Sequence, residues 1–195
     1  MFGAEQLLMD RAQNREVYDR IVAMINDFKQ YFSDHGVVCY ENPSPGNHAG
    51  GITTLEEKSL GCIQKGGKST VTDVLMYGET CKKHGLNLLT GPGNDIVSVT
   101  NLTAAGAHII LFTTGRGTPL GAPVPTIKIA TNTALFNNKS NWIDFNAGEL
   151  IEGGDFDSVT DSLMSLLIET ANGMQTKNEE NGYKEISIFK DGVIM

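Results

Sequence analysis

Arg116 stands between two glycines in TTGRGTPLG, residues 113–121. A guanidinium grips a carboxylate with two parallel hydrogen bonds. Flanking glycines let the backbone come close to a ligand. Thr113, Thr114 and Thr118 add hydroxyls suited to sugar hydroxyls or an anion. The plainer reading is a tight turn with Arg116 in a structural ion pair. A second loop, TGPGNDIVS at 90–98, places backbone N–H groups at a helix start, a natural anion cradle. Asp95 adds negative charge there. That disfavours phosphate and suits a metal ion or a sugar hydroxyl, while Asn94 or Asp95 acting only as a helix cap is the alternative. ATNTA at 130–134 offers Asn132, and TIKIATN carries Lys128 just before it. WIDFNAG supplies Asp144 and Asn146, with turn capping as the bland alternative.

A fifth candidate is the stretch ENPSPGNHAGGITTLEEKSLG at 41–61. Pro43 and Pro45 fix φ, so the loop has less entropy to lose on binding. Asn42, His48, Glu56, Glu57 and Lys58 are its possible ligands, acids and bases. Glu56 and Glu57 are adjacent on a helix, about 100° apart, so they cannot share a pocket and one of them caps. His48 alone is a weak signal, and Lys58 is as readily an exposed helix lysine. GGKST at 66–70 follows no predicted strand and lacks the full phosphate-loop spacing, so it carries no nucleotide reading. Cys62 reads as buried filler, His84 and His108 as structural, and Trp142 as core or site rim.

Elements must position these groups. The spacing of Tyr18, Ile21, Val22, Ile25, Phe28 and Phe32 predicts one or two helices over 3–33, stopped at Gly36. A short strand is expected at 37–40. Thr53 with Glu56, or Thr54 with Glu57, predicts a capping box and a helix that ends at Gly66 and Gly67. A short helix is expected over 70–78. LNLLTG, HIILFTTG, TIKIATN and WIDFN are strand candidates, with a helix from Asn94 or Asp95 to about Ala105 between the first two. Residues 155–171 predict an amphipathic helix with Phe156, Val159, Leu163, Leu166 and Leu167 on one face. EISIFKDGVIM reads as a last strand or an extended strap. Strands alternating with helices predict an α/β fold: a mostly parallel sheet with helices on both faces, Rossmann-like and three-layered, forming one domain over 1–195. In such a sheet ligands bind beyond the carboxyl ends of the strands, where these polar loops fall.

Fifteen basic against 23 acidic residues give a net charge of −8, which disfavours nucleic acid or an anionic membrane surface as partner. Three scattered cysteines, Cys39, Cys62 and Cys81, form no disulfide framework or closed zinc motif. They fit a reducing, cytoplasmic setting. The first thirty residues lack a signal-peptide core, and no apolar run approaches the ~18 residues of a membrane span.

Taken together, NPSPGNHAGGITTLEEKSLG, YGE, TGPGNDIVSVTNLTAAGA, FTTGRGTPLG, VPTIKIATNT, WIDFNAG and GYKEISIFKDGVIM resemble the sugar-acid dehydratases of the altronate/galactarate dehydratase family. The similarity runs in order over almost the whole chain. It implies a hydro-lyase that removes water from a C6 sugar acid to give a 2-keto-3-deoxy acid, with help from a divalent metal such as iron(II), manganese or magnesium. It also implies that the chain is the C-terminal part of a longer enzyme, with that enzyme's N-terminal part and further copies in a homo-oligomer as candidate partners. The family usually has Lys where this chain has His48. Set on this chain, the expected roles are a carboxylate grip by Arg116 with Lys58 or Lys128, and metal or acid/base work by Glu57, Lys58, Asp95 and Asp144. Sugar hydroxyls would fall to Asn42, Asn94, Thr114, Asn132 and Asn146. A sulfolactate sulfo-lyase-like C–S cleavage and a non-catalytic structural domain are the alternatives.

Overall fold

The computed structural model describes residues 1–38, 43 and 45–192. Asn42, Cys39 and the second half of the strand expected at 37–40 lie outside them; Val37 and Val38 are exposed and belong to no strand. The chain divides into two compact units, Met1–Pro92 with the chain's end from Phe189, and Gly93–Ile188.

In the first unit, α1 (Gln6–Met9) leads into α2 (Arg15–Asp34). The Asn14 side chain caps α2 by accepting from the Val17 N–H at 2.9 Å. Val17, Ile21, Met24 and Ile25 recur at helical spacing and are buried with Ala4, Leu8, Ile63, Val71 and Val74. Gly36, at φ +68°, supplies the left-handed residue that stops the helix. After α3 (Pro45–Ala49), α4 (Leu55–Lys65) opens on the predicted capping box, in its Thr54–Glu57 form, and closes at Gly66.

The helix expected over 70–78 is instead strand β1 (Val71–Leu75), paired in parallel with β2 (Leu86–Leu89). Val71, Thr72 and Val74 are β-branched and favour the extended chain. Burial of Val71, Val74 and Leu75 then settles the choice. Cys62 corrects another expectation: it is exposed, as is Cys81.

The second unit begins with α5 (Asp95–Ala104), capped by Asn94, whose Oδ1 accepts from the N–H groups of Ile96 and Val97. Then come β3 (Ile110–Thr114), β4 (Thr126–Ala130), α6 (Thr133–Asn138), β5 (Phe145–Asn146), a 3-10 turn at Gly148–Leu150, α7 (Phe156–Ala171) and α8 (Lys177–Glu180). The sheet order is β3-β4-β5, all parallel. The fold is therefore α/β with parallel strands, but the described strands form two sheets where the sequence suggested one. Every residue of β4 is buried, as a strand covered on both faces must be. On α7, Val159, Leu163, Leu166 and Leu167 are half-buried as predicted, whereas Phe156 is 67% exposed. The tail is an extended strap rather than a strand: Tyr183, Glu185, Ser187 and Phe189 turn inward while the residues between them face out.

Candidate active site

Register brings the candidate residues of the second unit together. Thr114 pairs with Ala130, and Ala130 with Asn146, so the three strands end level. Beyond that edge the turns interlock. The Thr114 hydroxyl accepts from the Gly117 N–H at 2.9 Å, folding the chain into a tight bend with exposed Arg116 at its tip. Asn132 joins this bend to the next loop: its amide donates to the Gly115 carbonyl at 3.1 Å, and its Oδ1 caps α6 through the Leu135 N–H at 2.8 Å. Asn146 donates to the Thr133 hydroxyl at 3.1 Å and accepts from the Gly148 N–H at 3.0 Å. Gly148 is needed here because a Cβ would lie 2.2 Å from the Thr133 nitrogen.

Asp144 sits just behind this edge. Its two carboxylate oxygens accept from backbone N–H groups, Oδ2 from Lys128 at 2.7 Å and Oδ1 from Lys177 at 2.9 Å. Burial nevertheless raises its pKa above the usual aspartate value, against the pull of those two bonds and of both lysine charges. Lys128 is wholly buried, with Nζ donating to the Thr118 carbonyl at 2.5 Å and lying 5.5 Å from the centre of the Trp142 ring. Desolvation lowers its pKa to about 8, although Asp144 and Glu185 act the other way. A cavity of about 300 Å³ opens beside β5, lined by Asp144, Asn146, Glu149, Ser158 and Ser162 with Phe136, Phe145 and Val159. Its walls combine hydroxyl, amide and carboxylate groups with two aromatic faces, a surface suited to a polyol.

Asn94 is spent on the α5 cap and Asp95 is exposed in the first turn of that helix. Glu57 and Lys58 belong to the first unit. The Glu57 carboxylate accepts from the Thr53 N–H and hydroxyl and from the Thr54 N–H. These bonds, that to the Thr53 backbone foremost, hold its pKa below the ordinary glutamate value. Among the described residues no three His, Cys, Asp or Glu side chains gather as metal ligands. The three proposed metal ligands form no metal site as they stand: Glu57 caps a helix, Asp95 belongs to no cluster of three such groups among the described residues, and each Asp144 oxygen already accepts a backbone N–H.

The sequence reading passed over Lys177 and Asn178. Lys177 donates from Nζ to the carbonyls of Ser140 and Ile143, and the Asn178 amide donates to the Thr126 carbonyl at 3.2 Å. Together they fasten α8 to β4 and to the segment leading into β5. The signal was available: TKNE at 176–179 is a capping box, and the structure forms it.

Parallel strands whose polar turns meet at one edge define an α/β unit with a candidate site there, and the comparisons with known proteins give its lineage. The family described as D-galactarate/altronate dehydratase, C-terminal, matches residues 1–194, and the chain belongs to that family. It is 56% identical over 195 residues to the altronate dehydratase of Escherichia coli (strain K12) and 57% identical over 196 residues to that of Bacillus subtilis (strain 168). Each match takes in all of this chain and 39% of the relative. The galactarate dehydratase (L-threo-forming) of Escherichia coli is 36% identical over 190 residues, covering 95% of this chain and 36% of that protein. The chain thus spans about two fifths of the length of the curated relatives it matches. No helix among the described residues is long and apolar enough to cross a membrane.

Proposed function

We propose that this chain is the C-terminal part of an altronate dehydratase, a hydro-lyase that converts the sugar acid to its 2-keto-3-deoxy acid. The observation that carries the reading is the 56–57% identity to two altronate dehydratases along the entire chain, against 36% to the galactarate enzyme. The level edge of Thr114, Ala130 and Asn146, with Arg116 at its rim, supports it.

In the proposed reaction a base removes the proton from C2, the C2–C3 enol forms, and the C3 hydroxyl leaves with a proton as water. The enol then tautomerises to the ketone. The C2 proton is weakly acidic because the neighbouring carboxylate is already anionic. Charge that builds on that carboxylate in the transition state must be stabilised, and this role is given to Arg116. Thr114, Asn132 and Asn146 hold the turns against which the sugar hydroxyls would lie. The base and the acid are assigned to no residue of this chain. A divalent ion, which the family resemblance implies, would need ligands beyond those that Glu57, Asp95 and Asp144 offer here, so no step is routed through it.

The test is 2-keto-3-deoxy acid formation from altronate and from galactarate, by this chain and by a polypeptide of the relatives' full length. Turnover of altronate by at least the longer form is expected. Turnover of neither sugar acid by either form would overturn the reading.

A further inference from the structure

We propose that Lys128 is a positioning residue: its buried ammonium props the 115–121 loop from beneath through the Thr118 carbonyl, and so sets where Arg116 stands, without touching substrate. The kinetic half of this inference rests on the dehydratase reading above; the structural half does not.

Three observations meet in it. Lys128 lies at the middle of the central strand, between Ile127 and Ile129, and all three are buried. A methionine or leucine would fill that place without desolvating a charge, which is costly. The lysine is justified by what its ammonium holds. Its hydrogen bond ends on Thr118, two residues from Arg116, and its Nζ lies over the Trp142 ring, so the group faces inward.

Lys128 acts at the middle of the loop, where the Thr118 carbonyl also accepts from the Leu120 N–H at 2.9 Å, and other bonds hold the loop on either side. Asn132 holds Gly115 and Thr114 holds Gly117. At the far end Gly121 exchanges two bonds with Glu185, its N–H donating to Oε2 at 2.8 Å and its carbonyl accepting from the Glu185 N–H at 2.9 Å. The Lys128 backbone is itself fixed, since its N–H donates to Asp144. A rigid strand thus sets the height of a loop that carries an exposed arginine. Loops held in this way bind with little ordering cost.

Amide hydrogen exchange on this chain tests the strut without any substrate. In Lys128→Met, the amides of Gly117, Thr118, Leu120 and Gly121 are expected to exchange about tenfold faster, the size of one lost charge-assisted hydrogen bond, while those of Ile127 and Ile129 keep their protection. Unchanged loop exchange would overturn the proposal, as would an equal rise throughout the second unit. Should the methionine variant not fold, Lys128→Leu, which also lacks a donor, is judged by the same two outcomes. In the polypeptide that turns over the sugar acid, Lys128→Met should lower kcat/KM about tenfold, with at least part of the loss in kcat. It should add little when Arg116 is already alanine, because both changes remove one grip. Full additivity would overturn the proposal. If neither sugar acid is turned over, the function reading fails and the exchange result still decides on the strut.

Discussion

Arg116 is the residue on which the proposed chemistry depends most. Arg116→Ala removes a bidentate, charge-assisted contact worth about 1.5–3 kcal/mol, so kcat/KM for the sugar acid should fall roughly 10- to 100-fold. Unchanged steady-state kinetics would take Arg116 out of the site. Lys128 permits a second measurement, on stability. Its pKa is near 8 when folded and 10.5 in the unfolded chain. Between those values the unfolded chain binds the extra proton, so stability rises with pH. From pH 8 to 10.5 the wild type should gain up to about 3 kcal/mol relative to Lys128→Met in urea melts; parallel pH profiles would show that the buried charge is not felt. Residue types were readable from the sequence, but the use of each group was less so. Asp144 and Glu57 are both acids within a polar segment, and only coordinates show that backbone donors occupy their oxygens. Lys128 could be read as a ligand because one lysine in TIKIATN does not reveal that both faces of its strand are covered.

Local signals fared best at the level of elements. The Thr54–Glu57 capping box, the Asn94 cap and the strands ending in polar loops follow from short-range chemistry, and the structure has all of them. Thr54→Ala should destabilise α4 by about 1 kcal/mol, read as faster amide exchange in its first turn. Residues 70–78 failed because a five-residue run such as VTDVL is decided by its partner strand, and β2 begins eleven residues after β1 ends. β5 is two residues long and gains its place by pairing with β4 rather than from propensity. Gly148 marks where that pairing is tightest. Gly148→Ala would force its Cβ against the Thr133 and Asn132 backbone, and should cost about 3 kcal/mol in a thermal or urea melt of the second unit. A cost below about 1 kcal/mol would mean that the turn yields easily.

Across the whole chain, each unit has its own apolar core, one around α2 and β1 and others around β3, β4 and α6. Composition and length gave no hint of that division, because both units share one pattern of short parallel strands and amphipathic helices. Asp73 makes it measurable. Its carboxylate, 9% exposed, meets Arg20 at 2.5 Å and Lys83 at 3.3 Å, all within the first unit. Burial opposes its ionisation, but the Val74 N–H and the two cations outweigh it and bring its pKa below the ordinary value. The stability it lends is therefore full above the unfolded pKa of 3.8 and is lost as pH falls through the lower folded one. Asp73→Asn leaves Arg20 without its ion partner and should cost the first unit roughly 2 kcal/mol. Trp142, the single tryptophan, reports only the second unit. The expected outcome is a lower urea midpoint for the α2 and β1 amides with the Trp142 fluorescence midpoint unmoved. If both midpoints fall together, the 195 residues unfold as one cooperative domain.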